Sequence, residues 1–338
     1  MKILILRTSA MGDVVHCLPV LEALRRGLGE ARIAWVVETV FAPLLEDHPD
    51  LDQIIPVRMR AWRKAPFSAA VRREIFAAVG AMRRFRADVA LDLMGNHKGG
   101  VLAALSGARR KLGPARAFRR EPSSAVWIGE EVETPAEHAV DRALEVLRPL
   151  GIGEGPVSFG GEKLMRHEPP EAEELLGGAE APYFVIQAGA GWANKTYPPE
   201  RWGEVAARLA EETGIRTLVP IAPGEEELAE AVATSSRGAA RTVEARGLPL
   251  LAAILRRAGL VLGGDTGPIH LAHALGVPVL CVLGPTDPGR NGPYGSPEMA
   301  LWRPLPCSFC YKRFAEVKAC LLTLTPEDVV AQARRLLA

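Results

Sequence analysis

Two carboxylates stand where apolar strands should hand over to helices. Asp13 follows Ile3-Leu4-Ile5-Leu6-Arg7-Thr8-Ser9-Ala10-Met11-Gly12, an apolar run that passes into a small-residue loop. Asp265 follows Leu260-Val261-Leu262-Gly263-Gly264 and precedes Thr266-Gly267-Pro268-Ile269-His270. Open α/β sheets bind ligands at such carboxyl edges. Two of them in one chain suggest two half-sites facing across a cleft. A carboxylate within hydrogen-bond reach of an incoming hydroxyl can take its proton, which is the chemistry open to Asp13. The same residue would equally serve as the N-cap of a helix starting near Val14. In the second motif, free backbone N–H groups and the Thr266 hydroxyl form an anion site suited to a diphosphate. Pro268 fits the first helical turn, and His270 lies one turn in. Plain helix capping is the competing reading here too.

Other groups fall at neighbouring strand ends. Gln187-Ala188-Gly189-Ala190-Gly191-Trp192-Ala193-Asn194-Lys195 lets a ligand approach the backbone and brings a cation to it. A diphosphate leaving group needs such a charge in the transition state; a solvated lysine on a loop is the alternative. Glu225 follows Ile221-Ala222-Pro223-Gly224 and suits ribose hydroxyls, or a helix start that favours acids. Arg58-Met59-Arg60-Ala61-Trp62-Arg63-Lys64, then Arg72 and Arg73, form a basic run, and Lys98, Arg109, Arg110, Lys111, Arg116, Arg119 and Arg120 add charge to the same half. This is either a solvated face or an electrostatic funnel for a polyanion at an anionic surface. Neither GxGxxG nor GxxxxGK[ST] occurs, so dinucleotide and P-loop fingerprints are absent.

The elements that must position these groups alternate. In the first half, strands are expected at 3–6, 33–37, 53–57 and 88–93, and helices at 14–26, 67–84, 100–106 and 138–150. This is βα spacing with a parallel sheet. Gly151-Ile152-Gly153-Glu154-Gly155-Pro156 and Glu168-Pro169-Pro170-Glu171 read as turn and linker chemistry. The domain boundary is therefore set between 160 and 161. Beyond it, strands are expected at 183–187, 217–221, 260–262 and 277–283, with helices at 199–212, 225–233, 249–257 and 268–275. A last helix carries Thr325 as N-cap, Pro326 at N1 and Asp328 at N3; it is free to pack back on the first domain.

The 338 residues suit two domains. With 41 Lys and Arg against 40 Asp and Glu, the chain lacks the basic balance of a general nucleic-acid binder. No apolar run is long enough to span a bilayer. The N-terminal apolar run is too short for a signal peptide and reads as a buried strand, so a cytoplasmic chain is expected, with peripheral membrane contact open. Cys17 and Cys281 fall in apolar segments and read as core. Cys307, Cys310 and Cys320 cluster without an evident fourth ligand, leaving a metal half-site, a disulfide or free thiols open.

Taken together, Thr8-Ser9-Ala10-Met11-Gly12-Asp13-Val14-Val15-His16, Asp265-Thr266-Gly267-Pro268-Ile269-His270 and Gly284-Pro285-Thr286-Asp287-Pro288 resemble the lipopolysaccharide heptosyltransferases, over nearly the whole chain. Arg60-Ala61-Trp62-Arg63-Lys64-Ala65-Pro66-Phe67-Ser68 most resembles the heptosyltransferase I branch, which adds the first heptose to the Kdo region of lipid A. The resemblance implies an α/β GT-B fold of two Rossmann-like domains, residues 1–160 for the acceptor and 161–338 for the nucleotide sugar. It implies an inverting glycosyltransferase that uses ADP-heptose and neither metal nor cofactor. Its partners would be the donor and an anionic glycolipid, at the cytoplasmic face of the inner membrane. By resemblance, Asp13 is the general base and Lys195 acts at the donor phosphates, across the cleft from it. Thr196, Glu225, Asp265, Thr266, Gly267 and His270 would bind the donor. Ser9, Gly12, Arg60, Arg63, Lys64 and Lys98 would bind the acceptor. Phe314-Ala315 stands where relatives often have a further Cys. Another nucleotide-sugar enzyme on the same fold, an epimerase or a transferase for a different sugar, or a non-catalytic nucleotide-sugar binder, is the alternative for the same residues.

Overall fold

The computed structural model describes residues 1–153, 155–176 and 182–338. Of the turn segment 151–156, Glu154 lies outside the described residues. The chain divides into two compact units, Met1–Arg166 and His167–Ala338, so the division falls a few residues beyond the expected one.

The first unit contains β1 (Lys2–Leu6), α1 (Met11–Val15), α2 (Leu18–Gly27), β2 (Arg32–Glu38), β3 (Gln53–Val57), α3 (Met59–Lys64), α4 (Ala69–Phe85), β4 (Val89–Asp92), α5 (His97–Ser106), β5 (Arg110–Pro114), β6 (Glu130–Val132) and α6 (Ala139–Glu145). Its strands run in the order β3-β2-β1-β4-β5-β6, and every pair is parallel. Helices cover both faces of such a sheet, so its central strands are apolar on both sides. Ile3, Leu4, Ile5 and Leu6 are accordingly fully buried, as are Ala90 and Leu91. The helix expected over 14–26 is two helices. Pro19 has no N–H to offer Val15, and the chain re-enters helix at Leu18 with Pro19 in the first turn. Pro149 likewise replaces the end of the helix expected over 138–150 with a tight turn at Arg148–Leu150.

The second unit contains α7 (Pro170–Leu176), β7 (Tyr183–Gln187), α8 (Pro199–Thr213), β8 (Thr217–Ile221), α9 (Glu226–Ser235), β9 (Ala240–Glu244), α10 (Leu248–Arg256), β10 (Ala258–Gly264), α11 (Gly267–Ala274), β11 (Val279–Val282), α12 (Pro288–Asn291), β12 (Ala300–Leu301), α13 (Ala319–Leu322) and α14 (Pro326–Leu337). The order β12-β11-β10-β7-β8-β9 repeats the first unit's topology: the first strand of the unit pairs with the second on one side and the fourth on the other. The segment read as a linker at 168–171 opens α7, because Pro170 occupies its first turn, where a missing N–H costs nothing. The last helix packs on α8 and β11 of its own unit. Its capping box is formed as expected: the Thr325 hydroxyl accepts from the Asp328 N–H at 3.2 Å, and Asp328 accepts from the Thr325 N–H at 2.8 Å. Trp202 and Tyr197 meet edge to face at 4.9 Å in the core beneath.

In sheets of this order, the crevice lies where connections leave in opposite directions from adjacent strands. In the first unit that point is between β1 and β4. In the second it is between β7 and β10. The segments that follow these four strands carry Asp13 and Lys98, in the first turns of α1 and α5, and Lys195 and Asp265, before α8 and α11.

Candidate active site

In the second unit the groups converge on Asp265. Its Oδ2 lies 2.6 Å from Lys195 Nζ and accepts from the Thr286 hydroxyl at 2.8 Å. Its Oδ1 is 3.0 Å from His270 Nε2. The Asp265 side chain is only 7% exposed and Lys195 13%, so this is a nearly dry four-residue cluster. Burial pushes the Asp265 carboxyl up, but the His270 hydrogen bond and the Lys195 charge outweigh it and hold it well below the usual carboxylate range.

Helix capping does not account for this motif. The cap residue of α11 is Thr266, whose side chain makes no cap hydrogen bond. Its buried Oγ1 has no partner among the described residues. Gly267 and Pro268 open the helix; Pro268 has no N–H, so the first-turn N–H groups of Gly267 and Ile269, with this hydroxyl, are the donors that could meet an anion. Gly264 is required beneath: a Cβ there would stand 2.7 Å from the Lys195 carbonyl oxygen. Lys195 itself ends a single turn, Ala193–Lys195. Thr196 closes that turn, donating to the Trp192 carbonyl at 3.4 Å.

Glu225 is half-buried at the start of α9, beside the end of β7. Gln187 Nε2 donates to it at 3.4 Å, and burial pushes its carboxyl up. Gly189 makes room for it, since a Cβ at 189 would fall 2.0–2.2 Å from the Glu225 carboxyl group.

In the first unit, Asp13 lies within the first turn of α1 rather than at its N-cap. Oδ2 accepts from the Ala10 N–H at 3.0 Å, and Oδ1 pairs with Arg7 Nη2 at 2.5 Å. Its side chain is 44% exposed, so the carboxylate is held on one side and open on the other. Arg7 is fixed in turn by donating to the Leu93 carbonyl. Ser9 and Gly12 are half-buried in the same loop.

The β4 edge is set by an ion pair with both side chains fully buried, Arg119 Nη2 to Asp92 Oδ2 at 2.5 Å. Asp92 Oδ1 also accepts from the N–H groups of Met94 and Gly95 at 3.0 and 3.3 Å. This fixes the turn into α5, where Asn96 caps and Lys98 is exposed. The basic run forms α3. Trp62 is its inward anchor, donating from Nε1 to Glu74 at 3.0 Å, and Arg58 pairs with the same carboxylate at 3.0 Å. Arg60, Arg63 and Lys64 are exposed.

The sequence reading missed Arg7, Thr286, Trp192 and the Asp92–Arg119 pair as functional supports. Arg7 was legible as a charge ending an apolar strand. Nothing local marks Arg119 as the partner of Asp92.

All five cysteines are free thiols. Cys17 and Cys281 are buried as expected, and burial pushes the Cys17 thiol up to about 11.

Two Rossmann-like units, each a six-stranded parallel sheet with a switch point at its centre, are the make-up of the GT-B fold. The profile of glycosyltransferase family 9 (heptosyltransferase) matches residues 75–320. Lipopolysaccharide heptosyltransferase 1 of Pseudomonas aeruginosa is 31% identical over 329 residues, covering 97% of this chain and 90% of that one. The Escherichia coli K12 protein of the same name is 33% identical over 311 residues, covering 90% and 94%. The solved structure of E. coli heptosyltransferase WaaC with ADP superposes with a TM-score of 0.83 at 30% identity, covering 99% and 100%. The same enzyme with ADP-2-deoxy-2-fluoro heptose gives 0.81 at 29%, covering 99% of each. The chain belongs to glycosyltransferase family 9, the heptosyltransferases, and is a glycosyltransferase.

Proposed function

We propose that this enzyme transfers heptose from ADP-heptose to the Kdo-bearing inner core of lipopolysaccharide, with inversion and without a metal. The Asp265 cluster carries the reading. A buried Lys–Asp–Thr–His group beside an uncapped helix start offers N–H, hydroxyl and ammonium donors to one diphosphate. The names of the relatives, and the ADP and heptose analogue bound by WaaC, support the donor. Lys195, Thr196, Thr266, Gly267 and His270 line the phosphates and Glu225 takes the ribose, while Asp265 holds Lys195 and His270 in place. Asp13 removes the proton from the acceptor hydroxyl. That oxygen bonds to the anomeric carbon, the bond from this carbon to the β-phosphate oxygen breaks, and its electron pair leaves with ADP. Arg7 and the Ala10 N–H orient Asp13, and a carboxylate with two contacts keeps lone pairs for the hydroxyl. Ser9, Gly12, Arg60, Arg63, Lys64 and Lys98 bind the acidic acceptor.

The acceptor side also fits a membrane surface. Residues 53–87 hold nine basic residues and one acid, Glu74, which Arg58 and Trp62 already occupy. Phe67 and Phe76 on the same stretch are 89% and 74% exposed. No helix among the described residues is long and apolar enough to cross a membrane. Peripheral contact with an anionic leaflet, at the cytoplasmic face, is the arrangement these residues favour.

The deciding experiment follows ADP release from ADP-heptose with and without a Kdo-bearing lipid A acceptor. Acceptor-dependent release that survives EDTA is expected. Release without acceptor would mean a hydrolase, and acceptor-independent conversion of the donor to an isomer without ADP release would mean an epimerase. Binding without release under any acceptor would mean a binding protein.

A further inference from the structure

Lys195 is one of two cations resting on the same indole. Its Nζ lies 4.5 Å from the centroid of the Trp192 ring, and the Arg313 guanidinium carbon lies at 4.5 Å from that centroid too. Arg313 comes from a distant part of the chain, and its placement is built. Asn194 Nδ2 donates to the Lys312 carbonyl at 2.9 Å, tying the segment to the turn that ends at Lys195. The Tyr311 N–H donates to the Pro285 carbonyl at 3.1 Å. The Tyr311 hydroxyl accepts from the Asp287 N–H at 3.2 Å and donates to Asn291 at 2.9 Å. Residues 311–313 are therefore anchored to both loops that supply Asp265 with its partners, one bearing Lys195 and the other Thr286.

Charge separates the two cations. Lys195 is matched by Asp265 at 2.6 Å, so that pair is neutral as a unit and supplies direction more than net charge. A nucleoside diphosphate carries at least about two negative charges, which the pair leaves unmatched. Arg313 is exposed, and no carboxylate among the described residues lies within ion-pairing distance of it. An arginine plane stacked on an aromatic ring keeps its fork of N–H donors free for phosphate oxygens.

We propose that Arg313 is the second cation of the donor site, binding a phosphate oxygen of the nucleoside diphosphate while its guanidinium rests on Trp192. This rests on the donor reading above and assigns to it a residue from outside the strand-end motifs.

The test compares ADP with AMP by titration calorimetry on the full-length wild type, Arg313→Ala, Arg313→Lys and Lys195→Ala. Arg313→Ala should weaken ADP by about 10-fold or more and leave AMP within about 2-fold, since a charge-assisted contact to the second phosphate is lost. Arg313→Lys should recover most of the loss, to within about 3-fold of wild type, because the charge remains while the fork does not. In turnover, the donor KM of Arg313→Ala should rise. Equal weakening of ADP and AMP would overturn the proposal by making Arg313 a support for the loop. Unchanged ADP affinity in Arg313→Ala, with affinity lost in Lys195→Ala, would overturn it and leave the donor site standing. A wild type that binds no ADP would overturn both.

Discussion

Both oxygens of Asp265 are engaged, so its role is to hold other groups, whereas Asp13 keeps one side of its carboxylate open. That contrast predicts different phenotypes for two acids that both follow strand ends. Asp13→Asn keeps the shape and the Ala10 contact but removes the proton acceptor. Turnover should fall by at least about 100-fold, the scale of general-base catalysis, with ADP affinity within a few-fold; calorimetry and the transfer assay separate the two. Lost affinity with turnover per bound complex intact would reverse the assignment. Lys195→Ala should weaken ADP by about 1.5–3 kcal/mol, the range for hydrogen bonds to charged groups. That variant also strands a buried carboxylate, which is costly in itself. Lys195→Ala combined with Asp265→Asn removes the stranded charge and should still bind ADP weakly. Recovery of wild-type affinity in the double variant would show that Lys195 serves the fold and not the ligand. The residue types at both sites were legible in the sequence because strand-end acids and glycines are local signals. The partners of Asp265 lie 70, 5 and 21 positions away, and only the fold joins them.

At the level of elements, legibility followed burial. The strands expected at 53–57, 183–187 and 217–221 are β3, β7 and β8 as observed, since each is an apolar run bounded by turn residues. The strands β5, β6 and β9, and the two-residue β12, were missed. Arg-Lys-Leu-Gly-Pro, Glu-Glu-Val and Ala-Arg-Thr-Val-Glu lie toward sheet edges with charged positions outward. Arg110 on β5 and Glu130 on the edge strand β6 form a paired contact with both distances at 2.7 Å, which periodicity does not reveal. The basic run was legible as charge but not as α3, because it has only Met59 and Trp62 to set against the core, and Trp62 is held by an acid on the next helix. The loop after β7 yields a sharper expectation. The Glu225 carboxyl occupies the space a Cβ would take at 189. Gly189→Ala must therefore displace Glu225, the proposed ribose ligand, without touching Lys195. Donor KM should rise several-fold with kcat little changed. The check is a 2′-deoxyribose ADP analogue, which should be less sensitive to the substitution than ADP. Equal sensitivity of the two nucleotides would remove Glu225 from the ribose.

At the scale of the whole molecule, the two units repeat one topology but differ in how they should meet acid. His48 in the first unit is 4% exposed and accepts from the Asp50 N–H at Nδ1, which requires a neutral ring. Burial pushes its pKa down to about 4 from 6.5; Lys163 and Arg166 act in the same direction, against Asp50 and Glu162. The folded value lies below the unfolded one, so the unfolded chain binds the proton more tightly. Stability from neutral His48 is therefore present above about pH 6.5 and is lost as pH falls toward 4, by about 2 kcal/mol between pH 7 and 5. In the second unit, the Asp265 carboxyl is shifted the other way, below its ordinary 3.8. Its contribution holds throughout that window and fades only below the unfolded value. Acidification from pH 7 to 5 should thus loosen the first unit before the second. Amide hydrogen exchange, corrected for the intrinsic pH dependence, reads this directly: β2 and β3, which flank His48, should lose protection while β7 and β10 keep theirs. His48→Asn offers the Asp50 N–H an acceptor that does not titrate, and it should flatten the loss. If β2 and β3 lose protection equally in wild type and His48→Asn, the acid sensitivity belongs to the Glu22–Asp50–Lys163 contacts instead, whose Lys163 Nζ sits 2.7–2.9 Å from three carboxylate oxygens.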